Sequence, residues 1–136
     1  MISYDAGLNI VPFAIAEGRK VPLVSTWREF LTRRQTVEEF ERFSRAPYIA
    51  VVCGVGFAGR RLIGIDVDFD KVSETMFNHF FNNFIAVFQP AVQKTPHGVH
   101  LYFFTESEVE TTTTELFELK GRGALIIVAG EGYEPI

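Results

Sequence analysis

The sequence predicts an α+β fold, a sheet with its helices gathered on one face. Three observations lead there. Residues 61–70 and 98–104 alternate apolar and polar side chains with the period of two that puts every second strand residue on one face. A single longer stretch between them, SETMFNHFFNNFIAVF, carries Met76, Phe77, Phe80, Phe81, Phe84 and Phe88 at helical spacing. Apolar runs bounded by Gly and Pro lie before and after both, as expected of a sheet whose strands flank the helix that covers it.

In chain order, residues 1–24 hold Gly7, Pro12, Gly18 and Pro22 with apolar pairs between them, which reads as short extended pieces joined by turns. STWREFLTRR offers Ser25 or Thr26 as an N-cap and places Trp27, Phe30 and Leu31 on one helical face. TVEEFERFSR follows with Thr36 as cap, Glu39 completing a capping box, and Val37, Phe40 and Phe43 as its apolar stripe. Two short helices are expected. After Pro47, YIAVVCGVG reads as a buried strand, and Gly54, Gly56 and Gly59 turn it into RRLIGIDVDFD, a hairpin or neighbouring strand pair. The long helix starts at Ser73 or Asp70 and should bury Phe77, Phe80, Phe81 and Phe84 on the sheet. Beyond Pro90 come AVQKT, a PHG turn, the strand VHLYFF, a threonine-rich stretch and the strands LFELKG and ALIIVAG.

A chain of 136 residues with 47% hydrophobic and 22% charged residues has ordinary globular composition and buries roughly two thirds of its unfolded surface in a single core. The net charge of −4 argues against a surface coated in positive charge, while leaving room for a local basic groove. Cys53 is the lone cysteine, which excludes an intramolecular disulfide and a cysteine-rich zinc site. No run reaches the roughly 18 apolar residues that a membrane span needs, and the N-terminus lacks a basic-then-apolar leader. A cytoplasmic location is expected.

Asp66, Asp68 and Asp70 fall at every second position of the first alternating run, opposite Ile65, Val67 and Phe69. Solvation of an open sheet face is the plain explanation. Asp is disfavoured in strands, however, and like charges about 6–7 Å apart on one face repel. Substituting Asn for either of the first two is therefore expected to leave the metal-free protein equally or more stable. A bound Mg²⁺ or Mn²⁺ explains the choice of Asp, since hard cations want several carboxylate oxygens together. A calcium loop of EF-hand type is excluded, because Lys71 stands where glycine is needed and Phe77 where a bidentate Glu is needed. KTPHGVHLYFF puts His100, Tyr102 and Phe104 on one strand face and His97 in a turn. His97 and His100, three apart, face opposite ways on a strand and make no metal pair. Glu118, opposite in facing to Phe117 and Leu119, is a candidate third carboxylate, and Lys120 and Arg122 beside it suit phosphates.

In this order the motifs resemble those of the primase-polymerase (prim-pol) domain of bifunctional replication proteins of archaeal plasmids and viruses, within the archaeo-eukaryotic primase superfamily. That superfamily is marked by D-x-D or D-x-E ending a strand, an s-x-H strand, and one acidic residue on a further strand. Asp66 and Asp68, Gly98-Val99-His100, and Glu118 are similar to these. GRKVPLVSTWREFLTRRQTVEEFERF is similar to the family's K-x-P…W segment with its two helices, and TPHGVHLYF to its T-P-x-G-x-H strand. The resemblance spans residues 18–133. Gly98 stands where Ser or Thr is frequent, Glu118 where Asp is common, the zinc-binding cysteines that some members carry are missing, and the chain stops at GYEPI where the family usually continues.

The resemblance implies an RRM-like antiparallel or mixed sheet with an N-terminal αβ extension, forming a primase-like core over residues 1–136 as one truncated or minimal catalytic domain. It implies a DNA primase/polymerase-type nucleotidyltransferase. Asp66, Asp68 and Glu118 would hold two Mg²⁺ or Mn²⁺ ions, and His100, Lys120, Arg122 and Lys94 would contact the nucleotide. Lys20, Arg28, Arg33 and Arg34 would form a template-side basic patch. Single-stranded DNA and nucleoside triphosphates are the implied partners, with a helicase domain or protein beyond them. Two rivals remain: a non-catalytic single-stranded nucleic-acid-binding module on which Tyr102 or Phe104 stacks on bases, and a metal-dependent nuclease or nucleotide hydrolase.

Overall fold

A computed structural model describes residues 2–135. Strands and helices are numbered in chain order. The first sheet runs β2 (Arg19–Pro22), β1 (Ile10–Ala16), β3 (Tyr48–Val52), β9 (Leu125–Ala129). The second runs β10 (Glu134–Pro135), β5 (Ala91–Lys94), β6 (Gly98–Thr105), β4 (Arg61–Asp68), β8 (Glu118–Lys120), β7 (Thr112–Thr113). All these ladders are antiparallel. The fold is α+β as expected, but with two sheets instead of one. β3 and β4 do not pair: β3 is buried along its whole length, between β1 and β9 in the first sheet.

Helix α1 (Val37–Phe43) begins with the capping box, Thr36 Oγ1 accepting from the Glu39 amide and Glu39 accepting from the Thr36 amide. It buries Phe40 and Phe43 against the first sheet and leaves Val37 exposed. The first expected helix is only a 3₁₀ turn, Arg28–Leu31. A buried side chain explains this. Asn9 Nδ2 donates to the carbonyls of Phe30 (2.9 Å) and Arg33 (2.8 Å), and its Oδ1 accepts from the Gln35 amide and from Arg34. Gln35 in turn bridges the amide and carbonyl of Ile10. Carbonyls that a longer helix would use are bonded to Asn9, one residue before β1, instead, and among the described residues no buried polar side chain lacks a partner.

Ser73 caps α2 (Glu74–Phe88) through the Met76 amide. The helix lays Phe77 and Phe81 on the second sheet, where Ile65, Val67, Val99 and Leu101 complete one core. Phe84 is half-buried, whereas Phe80 is 52% exposed, so the apolar stripe is wider than the surface the sheet covers.

The opposite face of the second sheet packs on the first. Leu62 of β4 belongs to the core built by β1, β3 and α1, with Tyr102 against it. Gly64 permits the close approach, since a Cβ there would lie 2.5 Å from Ile126 Cδ1 of β9. Two residues further on, the same face carries Asp66. The acidic residues therefore occupy the open end of an inter-sheet layer, not a broad solvated face. None of the described helices is long and apolar enough to cross a membrane.

Candidate functional site

β4 is the centre of the site because it has a neighbour on each side. Asp66 pairs with His100 of β6 and with Glu118 of β8, and residues directly opposite in antiparallel strands have Cβ atoms about 4.5–5.5 Å apart. One row thus reads His100, Asp66, Glu118 across three strands. Asp68, two residues on, points to the same side and pairs with Gly98. A Cβ at Gly98 would sit 1.9 Å from the Val67 carbonyl oxygen, which accounts for glycine where the family pattern favours Ser or Thr.

His100 is held from both ends. Its Nε2 lies 3.3 Å from Asp66 Oδ1, and its Nδ1 lies 2.8 Å from the Tyr102 hydroxyl. That hydroxyl faces two acceptors, Gln93 Oε1 at 2.5 Å and the Ile127 carbonyl at 3.0 Å. These contacts anchor the hydroxyl, and its contact with Nδ1 fixes the orientation of the ring. Burial pushes the Tyr102 phenol well up, so it remains a protonated donor. Tyr102 is thereby spent on structure, while Phe104 is exposed with the Arg60 guanidinium 4.5 Å from its ring centre.

Burial alone would raise the Asp66 carboxyl, but the His100 hydrogen bond and the charges of His100, Lys120 and Lys71 outweigh it and hold it below the usual range. This revises the expectation of net like-charge repulsion: Asp66 is ionised and compensated. Asp68 Oδ1 accepts from the Asp70 amide at 2.8 Å. Asp70 lies beyond the end of β4, fully at the surface, 3.7 Å from His97, and does not cap α2. Glu118 meets Lys120 at 3.0 Å and accepts from Thr113 Oγ1. Cys53 offers no nucleophile, since burial pushes its thiol up to about 12.

Asp66, Asp68, Glu118 and Lys71 line a cavity of about 150 Å³, closed on one side by the turn 113–117. Larger hollows, one apolar of about 520 Å³ and one beneath α2 of about 740 Å³, contain none of these three carboxylates. Among the described residues no three acidic, histidine or cysteine side chains surround a common ion position, because each carboxylate is turned to a protein partner. The donor set nevertheless fits a hard divalent cation: three carboxylates, one of them held ionised, on adjacent positions of adjacent strands.

The other sequence candidates scatter. Lys120 is in the cleft, its ammonium shared between Glu118 and the Leu125 carbonyl. Arg122 points outward to Glu108. Lys94 pairs with Val99, which belongs to the α2 core, so it lies on the face away from the carboxylates. Arg33 is locked to Glu39 and Glu29, and Arg34 is consumed by the carbonyls of Leu8 and Tyr4. Neither is free to meet a template. Arg28 is exposed with its guanidinium over Trp27. Lys20, on the first sheet, lies over the rings of Tyr48 and Tyr133 and lines neither cavity beside the aspartates. Sequence reasoning missed Lys71, Gln93 and Tyr133. The period-2 partnership of His100 with Tyr102 was visible, but the cross-sheet neighbours carried no local signal.

No family model matches this chain. No curated protein matches it either.

Proposed function

We propose that the cleft catalyses metal-dependent nucleotidyl transfer, adding nucleotides to a DNA strand on a single-stranded template, as in the prim-pol domains the sequence resembles. The observation that carries this reading is the cross-strand row His100, Asp66, Glu118, with Asp68 on the same face. Mg²⁺ or Mn²⁺ bound there would stabilise charge on the phosphoryl oxygens and make the attacking hydroxyl more acidic. Asp66, Asp68 and Glu118 are the residues that would hold it. Asp66 is suited to the task because it stays ionised at neutral pH. His100, its ring fixed by Tyr102 and Gln93, presents Nε2 at the cleft and can exchange its contact with Asp66 for a phosphate oxygen. Lys71 and Lys120 offset the carboxylate charge, which otherwise repels a triphosphate.

A primer-synthesis and primer-extension assay on single-stranded DNA, with Mg²⁺ or Mn²⁺ and labelled nucleoside triphosphates, tests this. Extended products that vanish in Asp66→Asn and Asp68→Asn are expected. Shortened strands in place of extended ones would replace the reading by a nuclease using the same carboxylates. No metal-dependent product of either kind would remove the catalytic reading altogether.

A further inference from the structure

Helix α2 buries one apolar flank and leaves a second one open. Phe77 and Phe81 are closed against the sheet, whereas Met76, Phe80, Val87 and Phe88 remain 46%, 52%, 72% and 63% exposed. Successive helical residues advance by about 100°, which gathers Met76, Phe80, Asn83 and Val87 on one flank beside the buried side. These four follow one another at spacings of four, three and four, the seam of a coiled coil. Phe84, 4.8 Å from Phe88 and 5.6 Å from Phe103 between ring centres, joins the open flank to the core beneath it. Charge sets the flank apart too: the chain is 22% charged, yet no Asp, Glu, Lys or Arg occurs between Thr75 and Gln89. A helix face that meets only water ordinarily carries charged residues. Their loss, with Phe and Met in their place, is the composition of the centre of a protein interface. The four open apolar side chains present roughly 400 Å², a size at which a contiguous patch marks an interaction site.

A second copy of the chain is the occupant this flank fits. The four-three-four spacing reads the same in both directions, which is what a two-fold axis between antiparallel helices needs. Such a pair brings Met76 of each copy opposite Val87 of the other, and Phe80 opposite Asn83. Asn83, exposed in the middle of the seam, is the one polar residue in it and favours a single register. Charge points the same way. At a net charge of −4 two copies repel over most of their surface, but along α2 they can touch without opposing carboxylates, since Glu74 comes level with the uncharged Gln89. A strongly basic or acidic partner finds no opposite charge along this seam.

We propose that the flank formed by Met76, Phe80, Asn83 and Val87 is a reversible homodimer interface, on which two copies pack α2 antiparallel about a two-fold axis. The inference goes beyond the nucleotidyl-transfer reading and does not rest on it. The face is smaller than the roughly 800 Å² that each partner gives to a standard interface, so the association is weak, with Kd on the order of 10–100 μM. In sub-micromolar solution the monomer prevails and Phe80 stays open to water. Asp66 lies on the face of the second sheet opposite the core that α2 covers, so pairing through α2 leaves both clefts accessible.

Sedimentation equilibrium over about 0.5–500 μM protein tests this. The parent's apparent mass should climb from 15.4 kDa toward twice that value. Phe80→Glu and Val87→Glu, both at exposed positions, should keep the parent's melting temperature in dilute solution and raise Kd at least about 10-fold. Met76→Lys alone should also weaken the dimer. Met76→Lys combined with Val87→Glu should restore it, because each Lys then meets the other copy's Glu, whereas the two lie at opposite ends of one helix and cannot meet within it. A parent that keeps the monomer mass at every concentration overturns the proposal and leaves the flank to a different partner. Association that persists in Phe80→Glu and Val87→Glu overturns it by placing the contact elsewhere. Single variants that disrupt, with no recovery in the double variant, refute the antiparallel pairing. Mass is read without nucleotide, metal or DNA, so the result stands apart from whether the cleft extends a primer.

Discussion

Replacing Asp66 by Asn separates a metal ligand from a carboxylate that merely faces solvent. The change keeps shape and removes one charge from the centre of the row His100, Asp66, Glu118. In metal-free buffer the loss should be small. The Asp66 side chain is 37% exposed, so its pairing with His100 is worth about 0.2–1 kcal/mol, the range of partly solvated ion pairs. Asp66→Asn should therefore be slightly less stable than the parent, not more, because its compensation by His100, Lys120 and Lys71 exceeds its burial cost. Asp68, bonded to the Asp70 amide at the strand end, loses less on becoming Asn. With metal the ranking widens. A ligand that binds only the folded state at 100 times its Kd stabilises it by about 2.7 kcal/mol, on the order of 10 °C for a chain of this length. Thermal melts with EDTA and then with millimolar Mn²⁺ or Mg²⁺ should show that shift in the parent and little of it in either mutant. Equal shifts in all three proteins would refute the metal site, and the catalytic reading with it.

Other outcomes follow from single contacts. Phe81, 7% exposed and ringed by Phe77, Phe84 and Phe117, should cost about 3–5 kcal/mol on truncation to Ala, measured by urea denaturation. Phe80→Ala should stay within about 0.5 kcal/mol, and a larger loss would show that this side chain is covered in solution. Glu39 is held down to about 2, first by the Arg33 hydrogen bonds and despite its burial, with the Thr36 amide helping. Its stability contribution is complete above the unfolded value of about 4.3 and is lost as pH falls toward the folded one; Glu39→Gln should flatten the acid limb of a stability–pH curve between those limits. His100→Ala should impair nucleotide use while the core formed with α2 persists, since His100 faces away from that core; unfolding with no separate nucleotide effect would assign the ring to packing alone.

Much of the site was legible because strand alternation is local. Asp66, Asp68, His100 and Glu118 could be assigned to faces from a period of two, and antiparallel pairing then set His100, Asp66 and Glu118 in one row with Asp68 on the same side. The caps at Thr36 and Ser73 were equally readable, being decided within one helical turn. The division into two sheets was not. Tyr48–Val52 is apolar at every position, so nothing in it tells which strands it joins, and its partners lie far away in the chain at Ile10 and Leu125. The missing first helix was hidden for a similar reason: Asn9, remote in sequence, takes the carbonyls that the helix needed. Lys20 and Tyr133 meet only because both lean on Tyr48, and no spacing rule links residues at the two ends of the chain.

The place of β9 at the edge of the first sheet, with Ile126 against Gly64 of the second, bears on how the chain assembles. β3 pairs with β1 early, but its other edge waits for residues 125–129. While the chain emerges from the ribosome, YIAVV therefore presents an uncharged, proline-free strand edge, the kind of segment that pairs with neighbouring chains. Ile126 packs on Gly64 where the layers meet, and the turn carrying Tyr133, further along the chain, reaches His100. Synthesis that pauses before residue 125 leaves the sticky edge open, so aggregation should rise when translation slows there.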